Sequence, residues 1–292
     1  ILALVAMTGC SKNEIVDANY EAISFDGVFV NNATKAVDPS YGEKLLTAFN
    51  VYATATGNSG TAVVYSGEEV TETVGENSIW ECQTKTQYWI PEAKYTFSAL
   101  VDVPTENVTL VANLPSSFTY DVTTQKDVLH ASATATGKAT GNAPVALTFN
   151  HLLAKALFTF TNTDANANLT VSNIQIAGLS QIGTYTIGNA TWTSNTEYTQ
   201  GFGNAEVSAG DTQTNEYERL IIPGTYDLTI TFQITDNKGG QPQEVSATIN
   251  GQTFEAAHVY NFTADIKSGL TYITFTINPS DWESGNDNNI QG

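Results

Sequence analysis

The feature that most constrains this chain is a period of two. Beyond Cys10, apolar and polar residues alternate in run after run, so successive side chains point to opposite faces and only one face needs a core. The alternation predicts strands over Ala22–Val30, Ala48–Ala53, Tyr95–Val101, Val108–Ala112, Ala156–Thr161, Leu169–Ile176, Leu228–Thr235 and Tyr272–Ile277. Gly57–Gly60, Asp236–Gly240 and Asn250-Gly251 supply residues that tolerate positive φ, and of these Asn250-Gly251 is the sharpest hairpin signal. No segment holds a 3.6-residue apolar stripe for three turns, and His151–Lys155 is the one stretch that reads ambiguously. The expectation is an all-β chain built of long antiparallel sheets.

At 292 residues the chain has room for about two domains, each large enough for its own core. An internal echo agrees. Tyr88-Trp-Ile-Pro91 runs into Tyr95 and a strand, as Leu220-Ile-Ile-Pro223 runs into Tyr226 and a strand. This fits two tandem β-sandwiches of similar topology, with a proline at each strand entrance where a missing donor is tolerated. The small, polar stretch Ala135–Pro144 is the expected boundary, giving an N-terminal domain over 11–141 and a C-terminal domain over 142–292.

Eleven Lys and Arg against 30 Asp and Glu give a formal charge of -19, a field that repels nucleic-acid phosphates and anionic headgroups. No nucleic-acid partner is expected. Residues 1–10 read as the tail of a signal peptide, because the apolar run ahead of Cys10 is too short to span a bilayer as a helix. Met7-Thr-Gly-Cys10 has the small residues before cysteine that signal a lipidation site; the bland alternative is a buried strand with a free thiol. Acylation of Cys10 at ~0.8 kcal/mol per buried methylene would hold a soluble, extracytoplasmic body on a membrane by its lipid anchor only.

Little in the chain points to catalysis. His130, His151 and His258 all lie in or beside apolar alternation, where packed histidines are the rule, and no Gly-x-Ser-x-Gly elbow occurs. No His-x-x-x-His, Cys-x-x-Cys or calcium loop is found, so no metal and no cofactor is expected. Cys82 reads as an inert core thiol. The carboxylates at Glu68, Glu69, Glu72 and Glu76 and at Glu216 and Glu218 read as solvated surface groups, the alternative being the paired acids of a glycosidase. Trp80, Trp89, Trp192 and Trp282 sit at alternating positions or strand ends and read as core, the alternative being sugar-stacking platforms on a glycan-binding surface protein.

With these residues in view, the chain resembles the fimbrillin family of Bacteroidales, the type V pilins and their Mfa-like relatives. The resemblance runs through the lipidation motif, Ile23-Ser-Phe25, Thr34-Lys35-Ala36, Phe49–Ala53, Tyr88–Pro91 with Tyr95–Ala99, Leu147–Lys155, Ile222–Tyr226 and the closing Asp281-Trp282. It implies two transthyretin-like (Greek-key) β-sandwiches, export as a lipoprotein, and partners that are other fimbrial subunits, with a host protein or glycan as the adhesive target.

The resemblance also implies assembly by strand exchange, in which a protease removes the first strand and a neighbour's strand fills the groove. Lys35 stands at the processing position, where the family usually has arginine; the one arginine here is Arg219. The strand to be removed carries Ile23, Phe25, Val28 and Val30; the candidate donor carries Tyr272, Ile273, Phe275 and Ile277, the favoured alternative being an ordinary last strand of the second domain. Independently of the resemblance, a removed strand leaves unpaired backbone groups and an uncovered apolar row.

Overall fold

A computed structural model describes residues 20–30, 46–73, 79–194, 196–214, 218–270 and 272–282. The chain is all-β: among the described residues the helical content is two single 3-10 turns, Thr105–Asn107 and Val122–Thr124. It divides into two compact units, the first formed mainly by residues up to 150 and the second by residues from 151 onward together with 119–127.

The first unit contains β1 (Phe25–Val30), β2 (Ala48–Gly57), β3 (Gly60–Glu72), β4 (Trp80–Glu81), β5 (Lys94–Val101), β6 (Val108–Val111), most of β7 (Leu114–Asp121), β8 (Leu129–Thr136) and β9 (Val145–His151). Seven of them close a ring of hydrogen-bonded strands in the order β1-β4-β3-β2-β5-β8-β9. Inside it, the period-two residues Phe49, Val51, Tyr95, Phe97, Leu147 and Phe149 meet in one core. The expected turn at Gly57–Gly60 joins β2 to β3, with Gly57 opposite Gly60.

The second unit contains β10 (Ala154–Asn162), β11 (Leu169–Ser180), β12 (Ile182–Thr186), β13 (Thr191–Ser194), β14 (Glu197–Gly201), β15 (Ala205–Val207), β16 (Thr212–Thr214), β17 (Arg219–Ile221), β18 (Gly224–Asp236), β19 (Gln243–Phe254), β20 (His258–Ile266) and β21 (Thr276–Asp281). One sheet runs β16-β10-β20-β21 with β17 also on β10; the other runs β14-β11-β18-β19 with β15 also on β11. Phe158, Phe160 and Phe262 of the first sheet pack with Ile176, Ile230 and Phe232 of the second in the core of a β-sandwich.

Three expectations change. The sheets are not wholly antiparallel, because β1 pairs parallel with β9 and β10 pairs parallel with β20. Asn250-Gly251 is not a hairpin tip: β19 runs through it, with a register shift opposite Asp227. Gly251 takes φ of 67° and its N–H donates to the Asp227 carboxylate at 2.8 Å, so the pair of turn-forming residues makes a bulge. The last strand forms over Thr276–Asp281 instead of Tyr272–Ile277; as an edge strand it accommodates Pro279, which has no N–H to give.

The echo has a physical basis. The Tyr95 hydroxyl accepts from Ile90 N–H at 2.7 Å, and the Tyr226 hydroxyl donates to the Ile222 carbonyl at 2.8 Å. Each tyrosine folds back across the proline before its strand and fixes the entry of that strand.

Candidate functional site

In the first unit, the chain ahead of β1 lies along residues 87–89. Trp89 N–H donates to the Glu21 carbonyl at 3.0 Å, and Ile23 N–H donates to the Gln87 carbonyl at 2.8 Å, flanking an isolated Ala22–Tyr88 bridge. The chain then passes between β4 and β9. Phe25 stands opposite Trp80 on the antiparallel side, while Phe25, Asp26, Phe29 and Val30 stand opposite Val145, Ala146, Thr148 and Phe149 on the parallel side. The register shifts between Asp26 and Phe29, which breaks the ladder in the middle of the strand.

Phe25 is 0% exposed, with its ring edge-on to Phe49 at 5.6 Å and to Phe97 at 5.9 Å, and 6.2 Å from Tyr65. Ile23 is buried in the same core. Val28 and Val30 belong to β1 by backbone position, their side chains lying outside the described part, as do Cys10 and Lys35. β1 is thus the stave that closes the ring. Taking it out frees the facing edges of β4 and β9 and uncovers an aromatic pocket walled by Phe49, Tyr65 and Phe97.

Glu21, which no sequence pattern singled out, holds the near end of this segment. Its carboxylate accepts from Gly141 N–H at 2.7 Å, Asn142 N–H at 2.6 Å and Asn142 Nδ2 at 2.9 Å. Those donors, with Lys138 nearby, hold its carboxyl below the usual carboxylate range.

In the second unit, the other set of candidate residues splits by environment. Tyr272 is 73% exposed, whereas Ile273 is buried. Phe275 reaches the core ahead of β21, with its ring 5.6 Å from Phe158 and 6.2 Å from both Phe232 and Phe262. Ile277, on β21 opposite Phe262, packs on the same core.

Trp282 follows directly and is buried, stacked on His151 at 4.1 Å with Lys155 Nζ 4.0 Å above its ring. Lys155 is 0% exposed and pairs with Glu218 at 3.3 Å; His151 pairs with Asp127 at 2.5 Å. A lysine inside an apolar alternation was the signal for this buried cluster, but its partners are far away in sequence.

Other residues singled out in the sequence make contacts within the fold. His130 Nε2 lies 3.1 Å from Ser98 Oγ, but Ser98 is buried and burial pushes the imidazole down to about 4. Glu68 pairs with Lys85 at 2.6 Å; burial pushes its carboxyl up, but Lys85 and the Ser66 N–H outweigh that and leave it lowered. Trp80 and Trp89 are buried, and the half-buried Trp192 donates its ring N–H to the Leu152 carbonyl at 2.7 Å. Trp80, Trp89 and Trp282 are therefore packed in the core, and Trp192 is half-buried. Cys82 is a buried free thiol, 3.5 Å from Thr84 Oγ1.

Comparison with known proteins gives the following. The model of the fimbrillin-like family matches residues 34–282. A fimbrial protein from Bacteroides vulgatus superposes with a TM-score of 0.61 at 16% identity, over 90% of this chain and 100% of that one. A candidate cell adhesion protein from Bacteroides uniformis gives 0.55 at 20% identity, over 91% and 99%. Another from Parabacteroides distasonis gives 0.54 at 10% identity, over 90% and 96%. At these identities the likeness is one of fold. Among curated proteins none matches significantly.

Proposed function

Because this chain belongs to the fimbrillin-like family, we propose that it is a non-enzymatic fimbrial subunit or adhesin that joins other subunits by strand exchange after losing β1. The observation that carries the reading is the place of β1: a short, bulged strand closing the ring with a fully buried aromatic anchor. Four or five apolar side chains refilling the groove at ~1.5 to 3 kcal/mol each contribute about 10 kcal/mol per joint before ordering costs.

In this proposal the chain is exported as a lipoprotein anchored through Cys10 on the outer membrane and is cut beside Lys35. Its two domains are read as transthyretin-like Greek-key sandwiches, with β9 counted in the first because it pairs with β1 there. Supporting that is a shared feature of the two units: in each the first strand pairs parallel with a late strand, β1 with β9 and β10 with β20. β21 has no counterpart after β9 and lies on a sheet edge, which supports the segment 271–277 leading into it as the candidate donor. For that role Phe275 and Ile277 supply the inward-facing residues, and Phe275 fits an aromatic pocket like the one Phe25 leaves.

Mild trypsin treatment followed by amino-terminal sequencing and electron microscopy tests the proposal. Cleavage next to Lys35 followed by filaments is the expected result. A cut chain that remains strictly monomeric under assembly conditions overturns it.

A further inference from the structure

The loop 138–142 cradles a carboxylate. Gly141 takes φ of 73°, which turns its N–H and that of Asn142 the same way. The Asn142 side chain braces the loop from within, accepting from Lys138 N–H at 2.7 Å and donating to the Lys138 carbonyl at 3.0 Å. These two bonds run within the loop, beside the one that Asn142 Nδ2 gives to Glu21. Glu21 fills it with three short hydrogen bonds, two residues before inward-facing Ile23 and four before Phe25.

We propose that this cradle, formed by the Gly141 and Asn142 amides, the Asn142 side chain and Lys138, is a recognition site at the end of the β1 groove. It selects an extended segment with a carboxylate four residues before an aromatic anchor. In the uncut chain Glu21 occupies it and keeps residues 20–30 docked, so that a cut beyond β1 does not by itself empty the groove. After departure of that segment, the same site favours an incoming subunit strand of the pattern acid-x-apolar-x-aromatic. The inference rests on the strand-exchange reading above. The Thr271–Ile277 segment has no acid at the matching position, Thr271, four before Phe275, so a strand from another subunit bearing one binds more tightly than this chain's own.

The cradle also confers acid sensitivity. Lys138 is the charged group that faces Glu21; the segment 87–89 brings Gln87, Tyr88 and Trp89, none charged near neutrality. Since docking lowers the Glu21 carboxyl, the grip is fully present above the free-acid range and fades as the pH falls through the docked value.

The test uses the full chain with a sequence-specific protease site inserted after Lys35. After cutting, the N-terminal fragment is chased with excess labelled peptide of residues 20–30, and its loss is timed. Glu21→Gln is expected to leave roughly tenfold faster at pH 7, and acid to speed the unaltered fragment more than the Gln variant. Equal release rates at pH 7, or equal acid responses, overturn the proposal. In the uncut chain, hydrogen exchange at the Gly141 and Asn142 amides is read separately, with faster exchange expected in Glu21→Gln and unchanged exchange counting against the cradle. A fragment that never exchanges in either protein contradicts strand removal itself, and the amide exchange still decides the cradle.

Discussion

β1 and β10 hold the same place in their units and are held very differently. Each is the opening strand and each pairs parallel with a late strand. β10 matches β20 through eight consecutive pairs, Lys155–Asn162, and on its other side takes β17 at 154–156 and β16 at 159–161. β1 meets β4 at one position and β9 at four, with a break between them. The same topology therefore yields one strand built into its sheet and one that hangs on an aromatic anchor, a short ladder and a carboxylate clasp. Under the proposed strand exchange, few hydrogen bonds and one well-defined pocket are what a departing strand and its successor would require.

The largest effect that sharpens this contrast comes from the two anchors. Phe158→Ala should cost the second unit ~4 kcal/mol in urea unfolding, because the ring packs on Phe160, Phe202 and Phe262 at the centre of the sandwich core. Phe25→Ala should cost ~3 kcal/mol, with the loss appearing as earlier opening of β1 and a smaller change in the rest of the ring. Equal and global losses at both sites would erase the distinction.

Next is Lys155, which stands where β10 meets Trp282. Lys155→Ala leaves Glu218 without this cation and Trp282 without its cover, and should cost ~3 kcal/mol, whereas Lys155→Met keeps the packing and should cost less. Thermal unfolding of the two variants side by side measures it.

A pH titration separates the units further. His130 sits in the first unit with its imidazole pushed down to about 4, against about 6.5 when unfolded. Between those values the unfolded chain binds the extra proton. Stability is therefore intact above pH ~6.5 and is lost on descending toward pH 4, by on the order of 2 to 3 kcal/mol. His130→Gln should flatten that slope in the first unit and leave the second unchanged.

The smallest effects belong to the paired tyrosines. Tyr95→Phe leaves Ile90 N–H without its acceptor and Tyr226→Phe leaves the Ile222 carbonyl without its donor, each at ~1 kcal/mol. Similar losses in both units would support a common origin of the two strand entrances in one folding motif.

Much of this was legible in the sequence because alternation depends only on which faces are buried. Phe158, Phe160, Ile176, Ile230 and Phe232 point inward as their spacing demands. Ile23 and Phe25 were readable for the same reason. What was not legible depends on residues far apart in the chain. Asn250-Gly251 carries the signature of a hairpin, and only the Asp227 carboxylate opposite makes it a bulge. Lys155 becomes a core residue only because Trp282 and Glu218 arrive from 127 and 63 residues away in the chain. Glu21 looks like one more solvated acid until the loop at 138–142 is folded beneath it.

Native-state hydrogen exchange of the uncut chain, comparing the amides of β1 with those of β10 and of β5 in the same ring, tests the detachable strand most directly. The account predicts that β1 exchanges through a separate opening, well below the global unfolding free energy, while β5 and β10 exchange only with their whole units. Exchange of β1 in step with β5 would make it an ordinary member of a closed ring and contradict the account.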